Sequence, residues 1–360
     1  MQKVTENIAN SSTLPADFYS DAAIWEKMKE NIFARSWNYV GDAQEIFNVA
    51  VNTYPFFLLD NYLEEPLLLT NQDDQIKCLS NVCTHRGFLL AHQPGLNKKL
   101  ICSYHGRRFK LDGQFEYMPE FKEVENFPRP CENLQHIPLK NWGRFLFASL
   151  EPQFDYAPII EELENRLGFL DFESFEHAPE YDKTYNVNAH WALYCDNYLE
   201  GFHIPFVHAG LNQMLDYGKY ETICKDHWVL QVGYSDKGTI AFDLPEDHMD
   251  YGKEITAYYY WIFPNFMLNV YPWGVQLNVV RPLKSDFTKV EFIYYIKDRN
   301  IWERLRGDQI GDKVEKEDEW VVEGVQKGLR SRFYQDGRFS VTRETGVHHF
   351  HRLLKQYLNQ

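Results

Sequence analysis

Four residues in two short segments constrain this chain more than any other feature of its sequence. Cys83 and His85 lie in NVCTHRGF, and Cys102 and His105 lie in ICSYHGRRF, with sixteen residues between His85 and Cys102. Each segment places one thiolate and one imidazole close together on a tight loop. Because thiolates and imidazoles bind transition metals, the sequence predicts that the two loops meet around a metal centre.

The mixed character of each loop indicates which metal centre to expect. A two-iron, two-sulfur cluster of the Rieske type uses two Cys on one iron and two His on the other. Neutral imidazoles replace two anionic thiolates there, which raises the reduction potential above that of an all-Cys cluster. A structural zinc site is the alternative, although zinc motifs more often pair two Cys and then two His.

A second candidate metal site lies in CDNYLEGFHIPFVHAG, where His203 and His208 are separated by four residues. Five positions along a continuous helix turn the chain by about 500°, which leaves the two side chains about 140° apart. Pro205 is expected to interrupt the helix and let the chain bring both imidazoles to one metal. Two imidazoles and one carboxylate form the facial triad that binds Fe(II) and leaves positions open for oxygen.

The two Cys-His segments resemble the Rieske domain of ring-hydroxylating and N-demethylating oxygenases. The resemblance rests on Arg-Gly after the first His and on Tyr-His-Gly at the second, and it extends over residues 37–346. The family usually has Trp where this chain has Arg107. The resemblance implies one [2Fe-2S] cluster and one mononuclear Fe(II) per chain, in a terminal oxygenase that activates dioxygen.

The resemblance also supplies the missing carboxylate ligand. The segment VEKEDEWVVEGVQKGL resembles a family segment in which Asp precedes Glu and Gln-x-Gly-Leu, and this puts the ligand on Asp318, with Glu319 as runner-up. Taken alone, such an acidic run is more often a solvated helix face, and a pair of His is more often packed or exposed.

Glu200 and Asn197 are the further candidate catalytic residues. Glu200 is expected one helical turn before His203, and in the family an acidic residue here bridges a cluster His of one subunit to an iron His of its neighbour. Most members have Asp, so the Glu resembles the subgroup that acts on carnitine. Asn197, another turn back, is predicted to support the site. The alternative for Glu200 is a helix acid exposed to water.

The aromatic run TAYYYWIFPNFMLNVYPWG predicts a strand pair and a substrate pocket. Aromatic faces bind quaternary ammonium groups, and the run is similar to the corresponding part of oxygenases acting on choline, glycine betaine and carnitine. Tyr260, Phe263 and Phe266 are the candidate pocket residues, with plain core packing as the alternative. Arg281 is a candidate for binding a substrate carboxylate.

The distribution of helical and strand patterns along the sequence predicts an α+β fold with two main domains. Residues 1–36 form an N-terminal helical segment that packs on the catalytic domain, and residues 37–150 form an all-β Rieske domain. Residues 151–360 form the mononuclear iron domain, an antiparallel sheet covered by helices in the helix-grip manner. Helices are expected at about 311–328 and 344–357.

Net charge and cysteine usage restrict the binding partners and the cellular location to be expected. A formal net charge of −15 disfavours nucleic acid and anionic membrane surfaces as partners. No signal peptide or membrane span is recognisable, and the six cysteines are interpreted as thiols or metal ligands, so a cytoplasmic location is expected.

The chain is predicted to depend on partner proteins for its electrons. It contains no nucleotide or flavin fingerprint, which implies a ferredoxin, a flavin reductase or both, fed by NAD(P)H. A basic cluster is a candidate docking patch for that partner. Its members are Lys98, Lys99, Arg107, Arg108 and Lys110.

The resemblance implies a homotrimer, in which electrons pass from one subunit's cluster through His105 and Glu200 to a neighbour's iron. Hydroxylation or oxidative N-dealkylation of a quaternary ammonium compound is the predicted reaction. Aromatic ring hydroxylation or dihydroxylation is an alternative function. A Rieske electron carrier without oxygenase activity is a second alternative.

Overall fold

A computed structural model gives the fold of the chain. It describes residues 2–208, 210, 216–235, 240–305 and 307–359, and for 307–310 the backbone alone. The chain divides into two compact units, one formed by Phe33–Asp155 and a larger one formed by Met1–Ile32 together with Tyr156–Gln360. We call them the β unit and the larger unit. The limits 1–36, 37–150 and 151–360 stay a prediction.

The N-terminal segment belongs to the larger unit. Helix α1 (Ala22–Met28) begins after Asp21, whose carboxylate accepts hydrogen bonds from the backbone N–H groups of Ala23 and Ile24. A π-helical turn, Lys29–Phe33, continues it. The backbone N–H of Leu14 donates to Nδ1 of His351 across 3.1 Å, which ties this segment to the C-terminal helix.

The β unit is built from short antiparallel strands, as predicted. In the described residues they pair in the orders β1-β10-β9, β2-β3-β4-β8 and β5-β6-β7. The elements are β1 (Asn38–Asp42), a helical turn α2 (Ala43–Ile46), β2 (Thr53–Leu58), β3 (Glu65–Gln72), β4 (Gln75–Ser80), β5 (Leu100–Ile101), β6 (Arg108–Phe109), β7 (Phe115–Tyr117), β8 (His136–Ile137), β9 (Leu139–Trp142) and β10 (Phe145–Ala148).

Strand β3 separates the two hydrophobic clusters of the β unit. Successive side chains of a strand point to opposite faces of the sheet. Leu68 therefore packs in the cluster that contains Cys83 and Cys102, whereas Leu67 and Leu69 pack in the other cluster. The loops that carry Cys83 and Cys102 are thus anchored on the face of this strand that bears Leu68.

One large antiparallel sheet organises the larger unit. Its described strands run in the order β11-β18-β17-β16-β15-β14-β13, and β12 also pairs with β18. The strands are β11 (Glu176–His177), β12 (Lys183–Val187), β13 (Glu221–Lys225), β14 (Trp228–Tyr234), β15 (Ile255–Ile262), β16 (Phe266–Tyr271), β17 (Gly274–Lys284) and β18 (Phe287–Ile296).

Helices complete the larger unit. They are α3 (Ala157–Leu167), α4 (Trp191–Tyr198), α5 (Ile204–Val207), α6 (Arg299–Leu305), α7 (Gly307–Gly328) and α8 (Thr345–Leu358). Helix α8 approaches the end of α4 so closely that a Cβ at Gly346 would collide with the carbonyl oxygen of Leu199. The predicted C-terminal helices are confirmed within a few residues, and so is the α+β class. No helix in the described ranges has the length and apolar composition needed to cross a bilayer.

Candidate metal centres

Two backbone turns of the same kind present the Cys-His pairs of the β unit. The N–H of Gly87 donates to the carbonyl of Cys83 across 3.0 Å, and the N–H of Gly106 donates to that of Cys102 across 2.9 Å. Both glycines have φ of +72°, a left-handed conformation that L side chains rarely adopt. The glycine four residues after each Cys therefore closes each loop around its ligands.

The four predicted cluster ligands converge. The thiols of Cys83 and Cys102 lie within hydrogen-bonding reach of each other, and burial raises the pKa of Cys83. The rings of His85 and His105 lie 4.9 Å apart between centroids. Within the described part of the chain, no hydrogen-bond partner reaches the buried Nδ1 of His105. Two facing thiols and an unpaired imidazole nitrogen fit an iron–sulfur cluster bound by Cys and His.

Arg107, which stands in place of the family's usual Trp, is buried beside the cluster loops. Its guanidinium contacts Oε2 of Glu132 at 2.6 Å, and its carbon Cζ lies 4.8 Å from the centroid of the Phe115 ring. Only 1% of its surface is exposed. The prediction that Arg107 belongs to an exposed basic docking cluster is therefore wrong, because its charge is neutralised inside the unit.

The two histidines of the second site flank a single helical turn. Helix α5 begins after His203 and ends before His208, and Pro205 occupies its first turn. Proline is favoured there because the first N–H groups of a helix need no intrahelical partner. Pro205 therefore helps to start a new turn and does not interrupt a long helix as expected. The Nε2 atoms of His203 and His208 lie 3.2 Å apart.

Helix α7 brings a carboxylate to these imidazoles. Oδ1 of Asp318 lies 3.0 Å from Nε2 of His208 and 3.5 Å from Nε2 of His203. Donor atoms of the three residues lie within 4.8 Å of one another, and among the described residues Glu319 is not part of this group. Two imidazoles and one carboxylate fit the facial triad of a non-haem Fe(II) site.

Two further carboxylates hold the imidazoles in place. Nδ1 of His203 lies 2.6 Å from Oε1 of Glu200, and Nδ1 of His208 lies 2.8 Å from Oε2 of Glu317. Hydrogen bonds at Nδ1 fix the tautomer and leave Nε2 as the metal-binding atom. Burial lowers the pKa of His208, but the hydrogen bonds and charges of Asp318 and Glu317 outweigh it and leave the pKa raised.

Glu200 and His203 do not lie on one continuous helix, contrary to the expectation from their spacing. Helix α4 ends at Tyr198, so Glu200 lies in the turn that follows. Its Oε2 accepts hydrogen bonds from the backbone N–H groups of Phe202 and His203. The turn, rather than helical spacing, sets the contact with the His203 ring. Asn197, the other catalytic candidate, lies on α4.

A cavity of about 220 Å³ opens beside the three converging residues. Among the described residues, its walls include eight aromatic side chains as well as Asn197 and Glu200. The aromatic lining residues are Tyr194, Tyr198, Tyr220, Tyr259, Tyr271, Trp273, Phe292 and Tyr294. Candidate metal ligands thus border a cavity that also carries aromatic side chains.

The three residues predicted for the substrate pocket do not line this cavity. The hydroxyl of Tyr260 donates to Oε1 of Glu162, Phe263 packs against Tyr357 at 4.8 Å between ring centroids, and Phe266 is buried. The aromatic residue of β15 that lines the cavity is Tyr259, because alternate side chains of a strand point to opposite faces. Periodicity separated the two faces but did not identify which one bears the cavity.

Two other residues depart from what the sequence suggested. Arg281, the candidate for binding a substrate carboxylate, forms an ion pair with Glu291 and does not line the cavity. Glu317 was missed, although it directly precedes the predicted ligand Asp318. The available signal was the position of Glu317 in the acidic run, directly beside the predicted ligand.

Comparison with known proteins identifies both parts of the chain. The family described as "Ring hydroxylating alpha subunit (catalytic domain)" matches residues 175–360, and "Rieske [2Fe-2S] domain" matches residues 37–128. The match to the Rieske domain favours the iron–sulfur cluster over structural zinc.

The relatives span nearly the whole chain. The carnitine monooxygenase oxygenase subunit of Escherichia coli K12 is 29% identical over 96% of this chain and 93% of its own. The chloroplastic choline monooxygenase of Amaranthus tricolor is 30% identical over 96% of this chain and 78% of its own. A quaternary ammonium Rieske monooxygenase, solved in a study of carnitine oxidation and inter-subunit electron transfer, has the same fold, with a TM-score of 0.75, 24% identity and coverage of 96% and 95%.

Proposed function

This chain belongs to the Rieske non-haem iron oxygenases of the ring-hydroxylating alpha-subunit family, and we propose that its substrate is a small quaternary ammonium compound. Its two domains imply one [2Fe-2S] cluster and one mononuclear iron, which makes it an oxidoreductase. The cluster is held by Cys83, His85, Cys102 and His105.

One observation carries the choice of substrate: the His203, His208 and Asp318 side chains converge at the wall of an aromatic cavity. The negative faces of aromatic rings attract a quaternary ammonium group, which has no N–H with which to hydrogen-bond. Relatives that act on carnitine and choline support the same substrate class.

The bound iron centres supply electron transfer and dioxygen activation for insertion of oxygen into a C–H bond. Hydroxylation of the carbon next to nitrogen consumes dioxygen, an electron pair and a pair of protons, and it releases water. The resulting carbinol breaks its C–N bond and loses a proton, which yields an aldehyde and a tertiary amine. Hydroxylation at a carbon farther from nitrogen leaves the alcohol as the product.

The residues of the chain itself provide the setting for this reaction. His203, His208 and Asp318 are the proposed iron ligands, and Glu200 holds the proton on Nδ1 of His203. Aromatic side chains border the cavity in which the reacting carbon would lie. Asn197 lies on the wall of the same cavity.

The proposal extends to the assembly and the electron source. Electrons come from NAD(P)H through a ferredoxin or flavin reductase, because the family's terminal oxygenases receive them from a partner protein. A homotrimer pairs the cluster of one subunit with the iron of the next, and Glu200 is the proposed bridging residue. The inter-subunit electron transfer described for a related monooxygenase supports this arrangement. The cytoplasmic location stays a prediction.

A product screen of the iron-loaded protein with a generic reductase tests the proposed reaction. We expect quaternary amines to yield aldehyde and a tertiary amine, or an alcohol, with matching oxygen uptake. Aromatic acids serve as the competing substrates, and a cis-diol product from them would replace the proposal with arene dihydroxylation. A pure electron carrier would hold about two irons per chain instead of about three and would consume no oxygen.

A further inference from the structure

A buried carboxylate in the cavity has one oxygen without a partner. Glu315 lies on α7, three residues before Asp318, and only 3% of its surface is exposed. Its Oε2 accepts a hydrogen bond of 2.6 Å from the hydroxyl of Tyr194, another lining residue. Within the described ranges of the chain, its Oε1 has no hydrogen-bond partner. A buried polar atom left in this state is costly unless a ligand satisfies it.

Two further unpaired acceptors line the same cavity. Oε1 of Gln231 and Oδ1 of Asn278 are buried and lack partners among the described side chains and backbone. The Gln231 amide cannot be reversed, because its nitrogen donates to the carbonyl oxygen of Tyr198 across 2.6 Å. The cavity therefore presents acceptor oxygens to whatever it binds.

Three donors of the cavity lining are satisfied by other lining residues. The Tyr198 hydroxyl donates to Oδ1 of Asn269 across 2.6 Å, and Nδ2 of Asn269 donates to Oε1 of Gln276 across 3.0 Å. Nε2 of Gln276 then donates to the hydroxyl of Tyr294 across 2.8 Å. No lysine or arginine is found among the described lining residues. A cation meets these acceptor oxygens by charge attraction, which a neutral arene does not offer, and a carboxylate placed beside Glu315 would be repelled.

We propose that Glu315 is the specificity-determining counter-charge for a cationic nitrogen in the substrate. This inference rests on the proposed function and assigns one residue to its substrate selectivity. Residues three apart on a helix lie side by side, so a nitrogen paired with Glu315 has its attached carbons next to Asp318. The pairing therefore selects the charge of the substrate and presents the carbon beside nitrogen to the iron ligands.

Burial raises the pKa of the Glu315 carboxyl, with Asp318 and Glu319 adding to the effect and the Tyr194 hydrogen bond opposing it. A cation beside the carboxyl favours its charged form. The carboxylate and the cationic ligand thus stabilise each other, because each charge alone would pay a desolvation penalty in the cavity.

The substitution Glu315→Gln tests the assignment, because it removes the charge and keeps an acceptor oxygen for Tyr194. The probes are choline and its uncharged carbon isostere, in which a tert-butyl group replaces trimethylammonium. Calorimetry on the iron-loaded protein measures both dissociation constants. We expect the natural chain to prefer choline, and Glu315→Gln to show that preference reduced by at least about tenfold, since only the aromatic rings still favour the cation.

The control is Glu303→Gln, the same change at an exposed residue of α6, which keeps the preference. If Glu315→Gln does not fold, Glu315→Asp supplies the test, since a retained charge keeps the preference for choline even where affinity falls. The assignment is overturned if the natural chain shows no preference for choline, or if Glu315→Gln shows the same preference as the natural chain. Loss of the preference in Glu315→Asp also overturns it. Aldehyde release from choline, measured separately, shows whether the proposed function stands when the assignment of Glu315 fails.

Discussion

Nδ1 of His203 lies 2.6 Å from Oε1 of Glu200, while Nε2 of the same ring faces His208 at 3.2 Å. The carboxylate thus holds one nitrogen as a donor and leaves the other for the metal. Glu200 is itself held by backbone N–H groups of the turn between α4 and α5. The position of the imidazole depends on a turn that Glu200 closes.

Replacing Glu200 by Ala is expected to lower turnover sharply while the absorption spectrum of the iron–sulfur cluster stays unchanged. Loss of a carboxylate that orients a metal-bound imidazole typically lowers metal affinity or activity by about 10- to 100-fold. Reductase-driven product formation and the visible spectrum measure the two effects. Glu200→Asp is the matched control, because it keeps the acid that most family members have and should retain part of the activity. Full activity in Glu200→Ala would refute the role of this residue.

Asp318→Ala is expected to remove the mononuclear iron and leave the cluster in place. Oδ1 of Asp318 approaches both imidazoles, at 3.0 and 3.5 Å. Iron should fall from about three to about two atoms per chain, with acid-labile sulfide unchanged. Metal analysis of Glu319→Ala provides the comparison, since Glu319 was the other candidate ligand. If only Glu319→Ala loses iron, the ligand has been assigned to the wrong residue.

Glu317→Gln should weaken the second iron site without destroying it. Oε2 of Glu317 contacts Nδ1 of His208 at 2.8 Å, and a neutral amide can still accept that hydrogen bond. We expect the affinity for Fe(II) to fall by about tenfold, as is usual for partners that orient a ligand. A competition titration with a chelator measures the change. Glu303→Gln, the same change at an exposed residue of α6, should leave the affinity unaltered.

The sequence identified the converging Cys and His residues because their chemistry and spacing are local properties, whereas Asp318 was assigned only through the family resemblance. A Cys and a His within a few positions share a loop in almost any fold, and His203 and His208 needed only one turn between them. Glu317 and Glu315 were not identified, since the face of α7 that meets the histidines depends on how the helix packs. The alternation of β15 likewise predicted two faces, but only tertiary structure selected Tyr259 over Tyr260.

Glu132→Gln is expected to destabilise the β unit, because it leaves the buried Arg107 without its counter-charge. The two side chains are 1% and 7% exposed and lie 2.6 Å apart. Breaking a buried pair typically costs about 3–5 kcal/mol. Urea unfolding followed by cluster absorbance measures the loss. The matched control is Glu116→Gln, whose more exposed pair with Lys99 should contribute at most about 1 kcal/mol. Equal effects of the two substitutions would contradict the structural role of Arg107.

Acid is expected to destabilise the larger unit through His190, at the start of α4. Its Nδ1 accepts a hydrogen bond of 3.2 Å from the N–H of Ala192, which requires that nitrogen to be unprotonated. Burial lowers the pKa of His190 to about 3. Below about pH 6.5 the unfolded chain takes up a proton that the folded chain refuses, so stability falls as the pH drops from there toward 3.

The substitution His190→Asn isolates this contribution. Asparagine keeps an acceptor for the helix N-terminus but cannot be protonated. One such group contributes a slope of about 1.4 kcal/mol per pH unit between the two pKa values. The free energy of unfolding, measured between pH 7 and 4, should therefore fall less steeply in His190→Asn than in the natural chain. His227, whose pKa burial lowers to about 4, leaves a remaining slope in both proteins. Identical slopes would mean that His190 is protonated in the folded protein, and the cap at Ala192 would then have to come from another group.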